Sequence, residues 1–157
     1  MIGKKKMSKQ YDPKMHSAEH LLNQAMVRKF DCNRCFSAHI NKKKSKCDYH
    51  FDRRLTTTEV GDIERDVNEQ IQKNLTVRIE QIPKDVAQRT LNLSRVPGVS
   101  TINDIRVVYM GDYDACACVG PHVSSTKQIG VFKITTTGFE NGVLRIRFRL
   151  RDNFETK

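Results

Sequence analysis

From Pro13 onward, Ala18, Leu21, Leu22, Ala25 and Phe30 recur at the spacing of a helix buried along one side. Asp12-Pro13 before them reads as an N-cap followed by proline at the first helical position, so a helix is predicted from Pro13 to Phe30. Phe36 to Asn41 and Cys47 to Asp52 read as two strands joined by a basic tip, Lys42-Lys43-Lys44-Ser45-Lys46. Thr56 and Glu59 stand at capping-box spacing, and Val60, Ile63, Val67 and Ile71 then mark one apolar face of a second helix ending near Asn74. Thr76 to Ile82 alternates as a strand, a short helix begins at Pro83, and Val96-Pro97-Gly98 punctuates a loop. Ile105 to Met110, Gly130 to Thr136 and Val143 to Leu150 supply the remaining strands. The order predicts an α+β fold: two layers, a mostly antiparallel sheet with helices packed on one face. Residues 1–12 are expected to form a basic tail, 13–151 one domain and 152–157 a C-terminal tail.

Composition adds little to this until charge is considered. A hydrophobic content of 38% and a charged content of 29% suit a folded soluble domain and argue against wholesale disorder. The net charge of +10 is unusual, and it favours a polyanionic partner, above all nucleic acid. No stretch approaches the ~20 apolar residues of a membrane helix. Met1 to Lys6 is basic but lacks the apolar segment of a secretory signal. The five cysteines are an odd number at metal-type spacings rather than a disulfide framework, so a reducing cytoplasm is the expected location.

The chemistry concentrates in two short runs, His16-Ser17-Ala18-Glu19-His20 and Cys118-Val119-Gly120-Pro121-His122. On a helix, the first run sends both imidazoles from one face, with Cβ atoms roughly 5–6 Å apart. Gly120-Pro121 forces a tight turn that could bring Cys118 and His122 to the same point. Three imidazoles and a thiolate make a zinc-type ligand set: four firm ligands suit structure, three with an open position suit catalysis. Glu19 adds a further possibility. His-x-x-Glu-His is the inverted zinc-protease pattern, in which the glutamate activates a metal-bound water. The same helix resembles that of S-ribosylhomocysteine lyases, but the Gly-Cys-Arg-Thr-Gly ligand loop of that family is absent. Cys32-Asn33-Arg34-Cys35 is half of a zinc ribbon, and Cys116 stands two before Cys118.

Taken together, His16 through Leu22 and Cys118 through Val123 resemble the editing domain shared by threonyl- and alanyl-tRNA synthetases, also carried by free-standing alanyl-tRNA editing proteins. Cys118-Val119-Gly120-Pro121-His122-Val123 and Phe51 through Thr56 are similar to the threonyl branch. Gln128 through Ile134, and the direct run from Gly111-Asp112 into the cysteine motif, are more like the alanyl branch. The resemblance covers nearly everything from Pro13 to Arg151. It implies a trans-acting hydrolase that cleaves the ester between a wrong amino acid, typically serine, and tRNA of the alanine or threonine type. It implies His16, His20, Cys118 and His122 as site residues, with Glu19 a possible contributor. Two chemistries stay open: zinc held by those four residues, or the histidines acting as base and positioners. The chain lacks the aminoacylation core and its ATP motifs, so a hydrolase rather than a ligase is expected. The alternatives are a nucleic-acid-binding module with a structural Cys/His zinc, or a small metallohydrolase or lyase working through Glu19.

For tRNA contact, two basic surfaces are candidates. Lys42, Lys43 and Lys44 lie at the hairpin tip. Arg145, Arg147 and Arg149 alternate with Ile146, Phe148 and Leu150, so they share one strand face and form a phosphate track.

Overall fold

A computed structural model describes residues 11–152; most of both expected tails lies outside the described residues. Helix α1, Pro13–Phe30, starts as its sequence predicts, with the Asp12 carboxylate accepting from the Met15 N–H at 3.0 Å. It ends where Asp31 turns left-handed at φ 54. Met15, Ala18, Leu21, Leu22 and Met26 are buried on its apolar side, but so are His16, Ser17, Glu19, His20 and Asn23. The helix is therefore enclosed on its polar side too, and that side builds the site.

Strands β1, Ser37–His39, and β2, Ser45–His50, form the expected hairpin, pairing Ala38 with Cys47 and His39 with Lys46. The Ser45 hydroxyl closes its tip by accepting from the Asn41 N–H at 3.0 Å and donating to the Asn41 carbonyl at 3.1 Å. Helix α2, Thr57–Gln72, carries the capping box: Glu59 N–H donates to the Thr56 hydroxyl and Thr56 N–H to the Glu59 carboxylate. It buries Ile63, Val67 and Ile71. Strand β3, Val77–Pro83, is followed by the short helix α3, Lys84–Thr90, and by β4, Asp104–Met110. The remaining strands are β5, Asp114–Ala117, β6, Val131–Glu140, and β7, Val143–Arg151.

The α+β class stands, and every strand pairing is antiparallel. The strands divide between two sheets, ordered β1-β2-β7-β6 and β3-β4-β5. The second sheet closes on β5, a strand that the sequence pattern did not predict. Its residues, Asp114-Ala115-Cys116-Ala117, lack the β-branched and aromatic types that mark strands; pairing with Val107 to Met110 makes it one. The turn between β4 and β5 uses Gly111 at φ 53, a left-handed position open to glycine. The main core lies between α1, α2 and the four-stranded sheet, around Leu21, Tyr49, Ile63, Phe132 and Phe148. Ala87, Ile105 and Val107 form a smaller core under α3. β4 contributes to both, with Val108 and Met110 on the main side, and this fixes the end of β5 against the polar side of α1. No helix among the described residues is long and apolar enough to cross a membrane.

Candidate metal centre and its pocket

Consecutive turns of α1 present His16 and His20, and the loop leaving β5 presents Cys118 and His122. Arg106 holds that loop from both sides: its carbonyl accepts the Cys118 N–H at 3.1 Å, and its guanidinium donates to the Cys118 carbonyl at 2.7 Å. Position 120 needs glycine for space: a Cβ there would lie 2.5 Å from His16 Cε1 and 2.8 Å from its Nδ1. The ligand atoms of His16, His20, Cys118 and His122 all lie within 4.8 Å of one another.

Cys118 Sγ stands 3.3 Å from His16 Nε2 and 3.6 Å from His122 Nε2. A thiolate and an imidazole sharing one tetrahedral zinc would stand about 3.6 Å apart. The rings pack tightly, His16 stacked on His122 with centroids 4.1 Å apart and His20 edge-on to both. Each imidazole also has a polar group behind it. His16 Nδ1–H donates to the Pro121 carbonyl at 3.1 Å. His122 Nδ1 lies 2.9 Å from the Ser17 hydroxyl, which accepts from the Val123 N–H at 3.2 Å. His20 Nδ1 lies 3.7 Å from an Asp114 carboxylate oxygen and has no hydrogen-bond partner. Asp114 is held in turn by Arg34 and Gln24, each at 2.7 Å. Groups of this kind behind an imidazole fix the ring and its tautomer for metal binding.

Burial opposes charge throughout this centre, and the neighbours overrule it at three groups. Against burial, hydrogen bonds from His122, His16 and His20 pull the Cys118 thiol down to about 3. Against burial, Asp114 and Cys118 push His20 well above its ordinary value. Against burial, Arg34 and His20 hold Asp114 far below the usual carboxylate range. At His122 burial prevails, lowering it to about 4 although Cys118 pulls the other way. Without metal, the surroundings thus favour the thiolate at Cys118, the protonated ring at His20 and the neutral ring at His122.

The fold favours the Cys118 thiolate, so this group's contribution to stability is full above pH 9.0 and is lost as pH falls towards about 3. His122 adds a loss in the same direction, between 6.5 and about 4. His20 acts oppositely: its contribution is full below 6.5 and fades as pH rises through its raised value. In the metal-free chain, iodoacetamide is expected to alkylate Cys118 at a rate that holds nearly constant from alkaline to weakly acid pH and falls only towards about 3. Cys116, whose thiol burial pushes up, should react only in alkaline solution. Peptide mapping by mass spectrometry reads both sites; a Cys118 profile with an ordinary thiol midpoint would contradict this electrostatic picture.

The centre opens into a cavity of about 700 Å³, bordered also by Tyr11, Glu19, Asn23, Phe36 and Arg95. Glu19 Oε2 accepts from Asn23 Nδ2 at 3.1 Å and from the Cys35 thiol at 3.4 Å. Asn23 is itself oriented by Tyr49 O–H and Cys35 N–H, both donating to its Oδ1. Glu19 Oε1 has no such donor; it lies 3.7 Å from His16 Nε2.

The half-ribbon Cys32-x-x-Cys35 does not act as a pair. Cys32 donates to the Met26 carbonyl at 3.6 Å, whereas Cys35 meets Cys47 and Glu19, their ligand atoms within 4.8 Å of one another. Lys42, Lys43 and Lys44 are exposed at the hairpin tip, as is Arg149 on β7. The expected arginine track is broken at Arg145, which donates to both oxygens of Asp48 at 2.7 and 2.9 Å. Ser17, Asp114, Arg34 and Asn23 all belong to the site, and short-range spacing singled out none of them.

The model of the threonyl and alanyl tRNA synthetase second additional domain matches residues 105–147, which include the cysteine motif and its flanking strands. That segment of the chain is similar to this domain, and it carries half of the Cys/His set. Among individual proteins, it is 32% identical over 139 residues to an alanine–tRNA ligase of Idiomarina loihiensis, covering 83% of this chain and 15% of the ligase. It is 34% identical over 137 residues to the alanine–tRNA ligase of Methanothermobacter thermautotrophicus, covering 85% of this chain and 15% of that protein. The figures for Psychrobacter arcticus are 34% over 145 residues, 85% and 16%. The chain therefore spans about 15% of the length of these relatives.

Proposed function

We propose that this chain hydrolyses the ester joining a wrongly attached amino acid, serine first, to the terminal ribose of an alanine-type tRNA. The observation that carries the proposal is the cavity of about 700 Å³ walled on one side by His16, His20 and Cys118, with His122 completing the ligand set just behind them. A purely structural zinc site is closed by its ligands and has no use for a substrate-sized space beside it. The similarity to the synthetase domain supports a role in tRNA editing, the net charge of +10 supports a polyanionic substrate, and the alanine ligases among the relatives favour the alanine-type tRNA. Activity within the cytoplasm follows from such a substrate.

The donor set fits zinc: a thiol already lowered to about 3, two Nε2 atoms facing it, and a third imidazole whose Nδ1 points towards Asp114. His16, His20, Cys118 and His122 would hold the ion, which when bound polarises an ester carbonyl or lowers the pKa of a water. The remaining work belongs to the chain. Pro121, Ser17 and Asp114 hold the three rings in place. The walls of the cavity exclude bulk water and fix the ester beside the centre. Glu19 Oε1, its partner oxygen already engaged, accepts the proton that the attacking water releases.

Glu19→Gln is expected to lower the rate of serine release by about 10²-fold or more without weakening tRNA binding. Measured on seryl-tRNA of both types, the parent chain should be faster with the alanine type. Near-normal turnover by Glu19→Gln would remove Glu19 from the proton path, and a preference for the threonine type would overturn the choice of tRNA.

A further inference from the structure

The outward face of the four-stranded sheet holds a second site. Strand register sets His39 opposite Lys46, Lys46 opposite Arg147, and Arg147 opposite Thr136. Directly opposed residues have Cβ atoms about 4.5–5.5 Å apart, so this row concentrates its cationic groups across three strands. With Asn41, Lys44 and Ser45, the residues His39, Lys46 and Arg147 line a cleft of about 290 Å³ that no carboxylate borders. Lys44, Lys46 and Arg147 enter none of the ion pairs among the described residues. Arg145, one position along the same face, is neutralised by Asp48. The positive charge is thus left unpaired at the cleft and cancelled beside it.

The cleft adjoins the catalytic cavity along one strand. Ala38 borders the large cavity and its neighbour His39 borders the cleft; successive side chains face opposite sides of the sheet, so the two spaces meet round the edge strand β1. A nucleic-acid strand whose terminal ribose enters the cavity and whose chain turns round the β1 edge brings its preceding phosphates to the cleft. Guanidinium, ammonium, amide and imidazole groups around a small concavity are the donors that a phosphodiester accepts from.

We propose that the cleft of His39, Asn41, Lys44, Ser45, Lys46 and Arg147 seats a backbone phosphate of the tRNA strand just upstream of the esterified ribose. The proposal rests on the tRNA reading above and adds the path by which the strand reaches the pocket. Contact with phosphate carries no sequence information, so the cleft supplies affinity and register, and the pocket supplies selection.

The test compares Lys46→Ala/Arg147→Ala with a control of equal charge change, Lys73→Ala/Arg89→Ala, whose positions are exposed elsewhere on the surface. Three quantities are read: tRNA affinity across a salt series, release of serine from seryl-tRNA, and release of serine from a serine ester of adenosine, which has no phosphate. The cleft variant should bind tRNA on the order of tenfold more weakly, with a salt slope reduced by about 1 or more. It should lose seryl-tRNA hydrolysis through KM and hydrolyse the adenosine ester at the parent rate. Affinity equal to that of the parent or the control would overturn the proposal. So would a parallel loss on the adenosine ester, which would make the pair a support of the pocket rather than a phosphate seat. If the parent binds tRNA but hydrolyses neither ester, the editing reading fails, and the affinity and salt slope still decide the cleft.

Discussion

Replacing Cys118 and His122 together with alanine is expected to reduce the proposed serine release from seryl-tRNA by about 10²–10⁴-fold, the range for loss of positioned acid–base and electrophilic groups. The two residues supply the thiolate and one of the three imidazoles, and both belong to the loop that carries half the centre. Their loss also removes the partner of His16 Nε2 at 3.3 Å and the ring stacked on His16 at 4.1 Å. Zinc content measured on the purified variant should fall from near stoichiometric to trace, a readout independent of turnover. Thermal unfolding checks that the chain still folds: the loop remains tied by Arg106 to the Cys118 backbone, which the substitution leaves in place. Serine release at the parent rate by a folded double variant would remove these residues from the active site.

Asp114→Ala is the substitution with the largest expected cost to the fold. Asp114 is fully buried at its side chain, takes two bonds from Arg34 and one from Gln24, and faces His20 Nδ1. Removing one member of a buried pair leaves the other charge uncompensated, which typically costs about 3–5 kcal/mol. The Arg34 side chain keeps 25% exposure, so water recovers part of that, and a loss of about 3 kcal/mol is expected. Chemical denaturation measures it. The same variant frees the His20 ring and lets its raised affinity for protons fall, so zinc affinity should drop as well, by roughly the 10–100-fold seen when such supporting groups are removed. A stability change under about 0.5 kcal/mol, the level of an ordinary surface substitution, would contradict this account of the site's support.

What could be read without coordinates was whatever short spacing encodes. Asp12-Pro13 and Thr56 with Glu59 marked both long helices at their starts, and the caps form as written. The two halves of the Cys/His set were legible because each is a five-residue run. The features that escaped prediction are set by distance in the chain. Asp114 lies on a strand made by pairing rather than by its residue types, and its link to Arg34 spans 80 positions. Ser17 stands between the two motif histidines, yet its bond to His122 exists only once the β5 loop has docked on α1. Cys35 looked like the partner of Cys32, but the chain bends it towards Cys47 on β2. Alternation correctly set Arg145, Arg147 and Arg149 apart from the buried Ile146 and Phe148; only cross-strand register reveals that Asp48 occupies Arg145.

The central claim is that the pocket beside His16, His20, Cys118 and His122 cleaves aminoacyl esters of tRNA. Its most direct test is serine release from purified seryl-tRNA of the alanine type, with zinc-loaded parent chain and the Cys118→Ala/His122→Ala variant side by side. The account predicts catalytic, multiple-turnover release by the parent and near-background release by the variant. Seryl-tRNA left intact by a folded, zinc-loaded parent chain would contradict it.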